Sequence, residues 1–475
     1  MIETIYAKEQ PRKGPLGFNR AEVPLGQGGP CDEPPKSESK AVNLEGITAR
    51  VDRVTVEGLS RTKDDIITKA VQDLFTASNF EEVIKKAHTV RQNLQSLNCF
   101  RSIAIHIDTS SGHGSSPDGY EVTYQVSELK RVTGGVTTSV SDNAGVLTIG
   151  GFFPNLYGRG ESLRGEFSYG SNKSNNTNIS FVKPFISKYS PVITLSAFGG
   201  ETDYPASGFS LAENGLLTDL SFINNSVERM KHKLQYESNW RRLGVGRQSS
   251  FFVRNKTGST LKSCIRHIAT LDKRDNPILP ICGSLVQIKT ELAGLGGNVN
   301  FVKNEVNLQL NYPLYDGDVV IQGGLNVGVL NPLSDEDVNV ADAFYLGGPT
   351  SLRGFEPRAV GPKQDDNYVG ANMYWSAAIH CYSPLPFRPA YGGFGDFFKL
   401  HTFINCGNIG QFNTSDPQAF WDEQKDQIRV AAGLGIAVKL GTMARAELNY
   451  CFPLKAGASD GKVEGVQFGI GIDFL

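Results

Sequence analysis

The 475-residue chain has no run approaching the roughly 18–20 consecutive apolar residues of a membrane-crossing helix. Charge of one sign is also missing. Lys and Arg number 47 against 49 Asp and Glu, a net −2, which excludes a dominant electrostatic partnership with nucleic acid. The opening stretch MIETIYAKEQPRKGPLG has no apolar core and is not an Arg-rich amphipathic presequence, so no secretory signal peptide is expected. Seven cysteines are scattered at 31, 99, 264, 282, 381, 406 and 451. None forms a CxxC and none has zinc-like spacing to a histidine, so ordinary thiols, no metal and no cofactor are expected. His267, His380 and His401 have no Ser or Cys with a third partner around them, and no phosphate loop appears. The expectation is a protein without catalytic residues.

What is present is glycine, 52 residues, with 10% aromatics, a composition that leans towards all-β. Residues 1–45 are rich in Pro, Gly and charge and cannot bury enough apolar surface to fold alone, so they read as a disordered tail. Residues 46–129 read as a small mixed domain. Val51, Val54 and Val56 suggest a strand, Ile67, Val71 and Leu74 a helix, and Val83, Ala87, Val90, Leu94 and Leu97 a clear amphipathic helix. Asn79 followed by Glu82 supplies that helix with a start signal. Ile103, Ile105 and Ile107, then Tyr120, Val122, Tyr124 and Val126, alternate as two strands. The order is strand, helix, helix, strand, strand.

From 131 to 475 the period falls to two, in about 16 segments separated by turns rich in Gly, Asn, Pro and Asp. In 443–452, Ala444, Ala446, Leu448, Tyr450 and Phe452 oppose Arg445, Glu447 and Asn449. In the last segment Val466, Phe468, Ile470, Ile472 and Phe474 oppose Gln467, Gly469, Gly471 and Asp473. A soluble propeller or sandwich would bury the apolar face; a membrane barrel would turn it to lipid and send the polar face into a wet lumen. Alternation alone does not separate them. Runs longer than the usual ~5–6 residues and aromatics near strand ends favour the barrel. Glu166, Glu237, Glu291 and Glu447 fall on the lumen face among Arg and Lys and read as packing.

One segment is more specific. GGPTSLRGFEPRAVGP, residues 347–362, with Leu352, Arg353, Gly354 and Phe355 at its centre, lies in the longest gap between strands. It resembles the inward loop of the barrel-assembly superfamily, which includes bacterial BamA and relatives in mitochondria and chloroplasts. LDKRDNPILPICG, YVGANMYW with SPLPF, and FINCGN resemble strand segments of the same family. The resemblance implies an all-β transmembrane barrel of about 16 antiparallel strands, with an inward loop at 331–366, preceded by one small α+β POTRA domain. A single POTRA without a signal peptide resembles the mitochondrial branch, the core barrel of the outer-membrane sorting and assembly machinery.

That resemblance implies a membrane insertase that folds β-barrel precursors such as porins, by β-signal pairing at a lateral gate between the first and last strands. The gate would involve Gly134, Gly135, Val136, Gly469 and Gly471. Gln467, Gly469, Ile472 and Phe474 resemble a β-signal. Arg353 is expected to fix the loop against Asn372 and Asn405. Bacterial relatives carry Asp where this chain has Asn405, so a neutral hydrogen bond is expected there in place of an ion pair. Implied partners are barrel precursors, accessory subunits of the machinery, the lipid bilayer, and an inner-membrane contact-site complex on the POTRA side. The implied location is the mitochondrial outer membrane, with the N-terminal domain facing the intermembrane space. A protein-translocating or solute-conducting barrel is the alternative.

Overall fold

The computed structural model describes residues 46–475 except 112–114, 142–143, 171–173, 188, 225–228, 335–337, 386–393, 413–426, 442–443 and 472–473. The tail expected at 1–45 and Ile472 lie outside the described residues. Two compact units form. One holds the described residues up to Arg131 together with Pro154–Glu161; the other holds Val132–Phe153 and Ser162–Leu475.

The first unit contains β1 (Arg50–Glu57), α1 (Asp64–Val71), α2 (Phe80–Ser96), β2 (Phe100–Thr109) and β3 (Gly119–Glu128), the order read from the sequence. β3 is central, with β1 parallel on one side and β2 antiparallel on the other. Alternation buries Val54, Val56, Val122, Tyr124 and Val126, and the stripe Val83, Ala87, Val90 and Leu94 of α2 is buried as well. The Tyr124 hydroxyl donates to the Ala87 carbonyl at 3.2 Å, tying sheet to helix. α2 starts where the cap signal placed it, with the Glu82 amide donating to Asn79 Oδ1 at 2.8 Å. The Glu82 carboxylate reaches the Ser78 amide at 3.0 Å, one residue before the cap.

At the end of β3, Glu128 organises the turn 60–62. Its carboxylate accepts from the backbone amides of Ser60, Arg61 and Thr62 at 3.0–3.2 Å, and from Thr62 Oγ1 at 2.7 Å. Burial alone would raise its pKa; these donors more than offset that and hold it at about 2. Beside it, burial pushes the Cys99 thiol up to about 12, which leaves it protonated and unreactive. The segment 154–161 joins this unit through Asn155 Nδ2 to Thr62 Oγ1 (2.9 Å), the Lys63 amide to the Gly158 carbonyl (2.8 Å) and Arg159 to Asp65 (2.8 Å). Gly158 has φ +85°, and a Cβ there would sit 2.6 Å from the Arg61 carbonyl. The sequence reading had placed 154–161 with the barrel.

The second unit is one 16-stranded antiparallel sheet in which neighbours in sequence pair in space. Its strands are β4 (Thr133–Ser141), β5 (Ala144–Phe153), β6 (Ser162–Gly170), β7 (Asn175–Pro184), β8 (Val192–Tyr204), β9 (Phe209–Asn224), β10 (Met230–Val245) and β11 (Gly258–Asp272). They continue as β12 (Gly283–Ala293), β13 (Phe301–Leu314), β14 (Val319–Pro332), β15 (Met373–Pro384), β16 (Phe398–Gly410), β17 (Arg429–Leu440), β18 (Ala444–Lys455) and β19 (Gly465–Gly471). Most start and stop within a few residues of the alternating segments. The last is an exception. It was expected over 464–475, but it ends at Gly471, and Phe474 and Leu475 are buried.

Polarity is inverted relative to a soluble sheet. Along β18, Leu448, Tyr450 and Phe452 are 47–49% exposed while Glu447 and Asn449 are buried. Ile404 and Asn405, and Val466 and Gln467, divide in the same sense. Fully burying one such aliphatic chain is worth ~1.5–3 kcal/mol, so a water-facing belt of them is untenable, whereas lipid accommodates it. The unit is a membrane barrel, and the soluble alternative falls on this observation. No helix among the described residues is long and apolar enough to cross a membrane.

The depressed Glu128 pKa has a testable sign. Its contribution to stability is fully present above the unfolded carboxyl value, ~4.3, and is lost as pH falls through the folded value of about 2. In the full-length chain, amide exchange at Ser60, Arg61 and Thr62 is expected to stay slow at pH 4. Glu128→Gln should accelerate it by tenfold or more at neutral pH. Equal exchange in the two proteins would show that the carboxylate does not hold the turn.

Candidate functional site

The 40 residues from 333 to 372 leave the sheet after β14 and return at β15, and the part centred on 352–355 is packed inside the barrel. Gly347 and Gly348 turn the chain with φ +114° and +110°. Leu352 and Phe355 are fully buried in a cluster with Leu346, Val360, Ile409 and Ala431. Between them Arg353 is also fully buried.

A buried guanidinium needs a matched acceptor. Arg353 Nε donates to Glu447 Oε2 at 3.0 Å, Nη2 lies 3.0 Å from the same oxygen, and Nη1 donates to the Leu475 carbonyl at 3.2 Å. Arg445 Nε stands 3.0 Å from Glu447 Oε1. One carboxylate therefore serves two cations, and aromatic faces carry part of the excess charge. Arg353 lies over Phe403 (5.3 Å) and Phe474 (5.4 Å), and Arg445 over Phe474 (4.2 Å) and Tyr382 (5.4 Å). Asn449 Nδ2 donates to Glu447 Oε2 at 3.0 Å, and Asn449 Oδ1 is 2.8 Å from His401 Nδ1, whose Nε2 is 2.9 Å from His380 Nδ1. His380 and His401 thus extend the Arg353 network as packed polar groups. Among the described residues no group of three or more His, Cys, Asp or Glu is placed to hold a metal ion.

The loop backbone is held by the last strand. Gln467 Oε1 accepts from the Gly354 amide at 3.0 Å and Gln467 Nε2 donates to the Phe355 carbonyl at 2.8 Å. The amides of Val463 and Glu356 add bonds to the carbonyls of Gly354 and Gly461, both at 2.9 Å. Gly354 has φ +85°, and a Cβ there would meet Ala431 Cβ at 2.8 Å. Gly469 faces the loop: its Cβ would lie 2.6 Å from Pro349 Cβ, so the absence of a side chain admits the loop. Gly135 differs, because a Cβ there would meet nothing within 4 Å.

The loop has two further fixings. Asp342 accepts from Arg241 Nη1 and Nη2 at 2.7 and 2.9 Å, with Lys262 at 3.5 Å. Asp460, before β19, pairs with Arg429 at 2.9 Å and accepts from the Gly361 amide at 3.1 Å.

Leu352, Arg353, Gly354, Phe355, Asn405, Gln467 and Phe474 are therefore brought together. Asn405 Nδ2 donates to the Arg353 carbonyl at 3.3 Å, a neutral bond as expected, but to the backbone and not from the guanidinium. Three expectations need correction. Asn372 does not meet Arg353; its side chain bonds the Phe412 backbone, donating at 3.1 Å and accepting at 2.5 Å. Arg353 does form an ion pair, with Glu447, which the sequence reading had set aside as wall packing. Phe474, expected on the lipid face by alternation, is buried beneath Arg353 and Arg445. The polar parity of Arg445, Glu447 and Asn449 was visible; that the loop would bring a third charge to it was not. Gly134, Gly135 and Val136 lie on β4, with Val136 largely exposed, and Gly471 closes β19.

Known proteins resemble this chain. The profile of the Omp85 superfamily domain matches residues 155–474. The chain belongs to the Omp85 superfamily. Within it, a Xenopus laevis protein named sorting and assembly machinery component 50 homolog B is 41% identical over 92% of this chain and 93% of its own length. The human protein named sorting and assembly machinery component 50 homolog is 40% identical with the same coverage. A Drosophila melanogaster SAM50-like protein is 35% identical over 92% of this chain and 98% of its own. Among solved structures, BamA from Haemophilus ducreyi lacking POTRA domains 1–3 superposes with a TM-score of 0.71 at 18% identity, covering 89% of this chain and 84% of that one. At that identity the likeness concerns the Omp85 fold alone.

Arg353→Ala removes one partner of a buried pair and is expected to cost ~3–5 kcal/mol. Gln467→Ala strands a buried amide and a buried carbonyl, at ~1–3 kcal/mol each. Arg353 and Glu447 should be coupled by ~0.5–3 kcal/mol in a double-mutant cycle of denaturant unfolding in detergent micelles. Additive losses would mean that the pair does not act as a unit.

Proposed function

We propose that this Omp85 protein is an insertase that folds and inserts β-barrel precursors into the mitochondrial outer membrane. The observation that carries the reading is the seam. Every other neighbouring pair in the sheet forms a registered ladder, while β4 and β19, its two ends, share none among the described residues. In hydrocarbon each unsatisfied backbone group costs several kcal/mol, so a nascent barrel needs an edge on which to pair. A weakly closed seam offers one, and the precursor's last strand adds to it by β-augmentation, with backbone hydrogen bonds supplying affinity whatever the side chains. Gly134 and Gly135 suit this role, because they add backbone entropy and no packing to β4. The proteins named sorting and assembly machinery component 50 homologs support the substrate class and the location.

In this reading the first unit is a POTRA domain in the intermembrane space, receiving precursors such as porins on an exposed β1 or β2 edge. Its other surfaces are open to accessory subunits and to a contact-site complex of the inner membrane. The inward loop opposes the reading of a solute conduit: it packs Leu352, Arg353 and Phe355 across the lumen and is fixed from both sides of it. The Gln467-x-Gly469 start of the last strand fits a β-signal, so the protein would be a client of its own pathway.

Depletion in cells, followed by import of a porin precursor, tests the proposal. Conversion of the precursor to its protease-resistant barrel is expected to fall, while a helical outer-membrane protein inserts normally. Normal porin assembly after depletion would overturn the reading.

A further inference from the structure

The sequence has one stretch whose charge is one-sided. From residue 238 to residue 271 there is no Asp or Glu, against seven Lys and Arg. Three of the seven, Arg241, Lys262 and Arg266, face the lumen and are matched by Asp342, Glu291 and Glu237. The other four, Arg242, Arg247, Arg254 and Lys256, lie where β10 passes to β11, at the same end of the barrel as the long loop 333–372. Arg242, Arg247 and Arg254 are exposed and have no carboxylate partner among the described residues. Glu201, on the outward face of β8, shares a register row with Arg242 across Ala212 but is not paired with it.

The connection is held in place. It contains the single-turn helix α3 (Phe251–Asn255). Val253 is fully buried against Leu243, Phe209, Val340 and Val369, and the Ser250 amide donates to Asn367 Oδ1 at 2.7 Å. Phe251, two residues from that anchor, is 80% exposed. An anchored backbone that leaves a phenylalanine exposed in the same connection as guanidinium groups without a carboxylate is not a surface built for water alone. The large outward side chains of β10 lead up to it in order, with Ser238 between the aromatics: Leu234, Tyr236, Trp240, then Arg242. Apolar, then aromatic, then cationic is the sequence of environments met on leaving hydrocarbon through the headgroups.

We propose that this rim is a membrane-surface anchor for anionic phospholipids. Arg242, Arg247 and Arg254 bind headgroup phosphates, for which the guanidinium fork is suited, and Phe251 enters the boundary of headgroup and acyl chain above Trp240. Charge complementarity and continuity with the lipid-facing wall select this occupant over an acidic protein segment.

The test uses the full chain in nanodiscs of zwitterionic lipid with and without anionic lipid. Spin-labelled lipids report the preference of the protein's lipid shell. Each basic residue near an anionic surface is worth roughly fivefold in binding, so Arg242→Gln, Arg247→Gln and Arg254→Gln together should lower the anionic preference at least fivefold. The added fluorescence of Phe251→Trp, made in an otherwise natural chain, should be quenched by lipids brominated near the headgroup. It serves as the second readout if the triple variant fails to fold. An unchanged preference in a folded triple variant, or an unquenched tryptophan, overturns the proposal. Shielding of that tryptophan in detergent by a poly-glutamate peptide, without quenching in discs, would assign the rim to an acidic protein and equally overturn it.

Discussion

A backbone amide or carbonyl in hydrocarbon has no water to turn to, and the whole barrel follows from satisfying those groups within the sheet. Antiparallel neighbours pair from β4 to β19 without a crossover, which disposes of all backbone groups except those on the two outermost strands. The obligation also explains the inverted polarity. Once the ladder is complete, the outer side chains need only be apolar, and everything that demands a partner is sent inward. The lumen becomes a place where charges are matched at short range, as at Arg353 and Glu447 (3.0 Å) and Arg241 and Asp342 (2.7 Å).

The last strand shows how closely wall and loop depend on one another. Gln467 belongs to β19 by its backbone and to the loop by its side chain. Gly469 is small because Pro349 needs the room. Two residues on one edge strand thus answer to the inward loop while their backbones answer to the sheet. Whatever pairs with that edge meets a strand whose lumen face is already committed.

Much of this is legible in the sequence, and for a physical reason. A strand with lipid on one side and water on the other must alternate, so period two marks nearly every strand to within a few residues. The helix stripe from Val83 to Leu97 and its cap at Asn79 were legible in the same way, because both depend on residues close in sequence. What was not legible depends on residues far apart. Glu447 carries the same lumen-face signature in sequence as Glu166, Glu237 and Glu291, and Arg353 is delivered to it from 94 residues away. Asn372 has the right amide but lies one residue before β15, where Phe412 claims it. Phe474 obeys alternation in sequence, yet it lies outside the described strand and packs against Arg445 and Arg353. The membership of 154–161 in the first unit rests on Asn155 and Thr62, a pair that no local pattern marks.

Two points of the inward loop, 11 residues apart in sequence, are tied to walls half a circumference apart. Asp342 is fastened on β10 and β11, the seventh and eighth strands of the barrel, and Arg353 and Gly354 on β18 and β19, the fifteenth and sixteenth. In mechanical terms the loop is a tie-rod across the bore. A ring cut at one point and braced along a diameter does not widen evenly when the cut is pulled open. The half that carries the brace beside the cut, β11 to β19, stays stiff. Loop residues also reach β8 and β9, where Arg358 lies over Tyr204 (3.9 Å) and Phe209 (5.6 Å), so bending concentrates in the arc without a described tie to the loop, β4 to β7. On the proposed function, a seam that opens would do so by movement of the first strands against a last strand held by the loop.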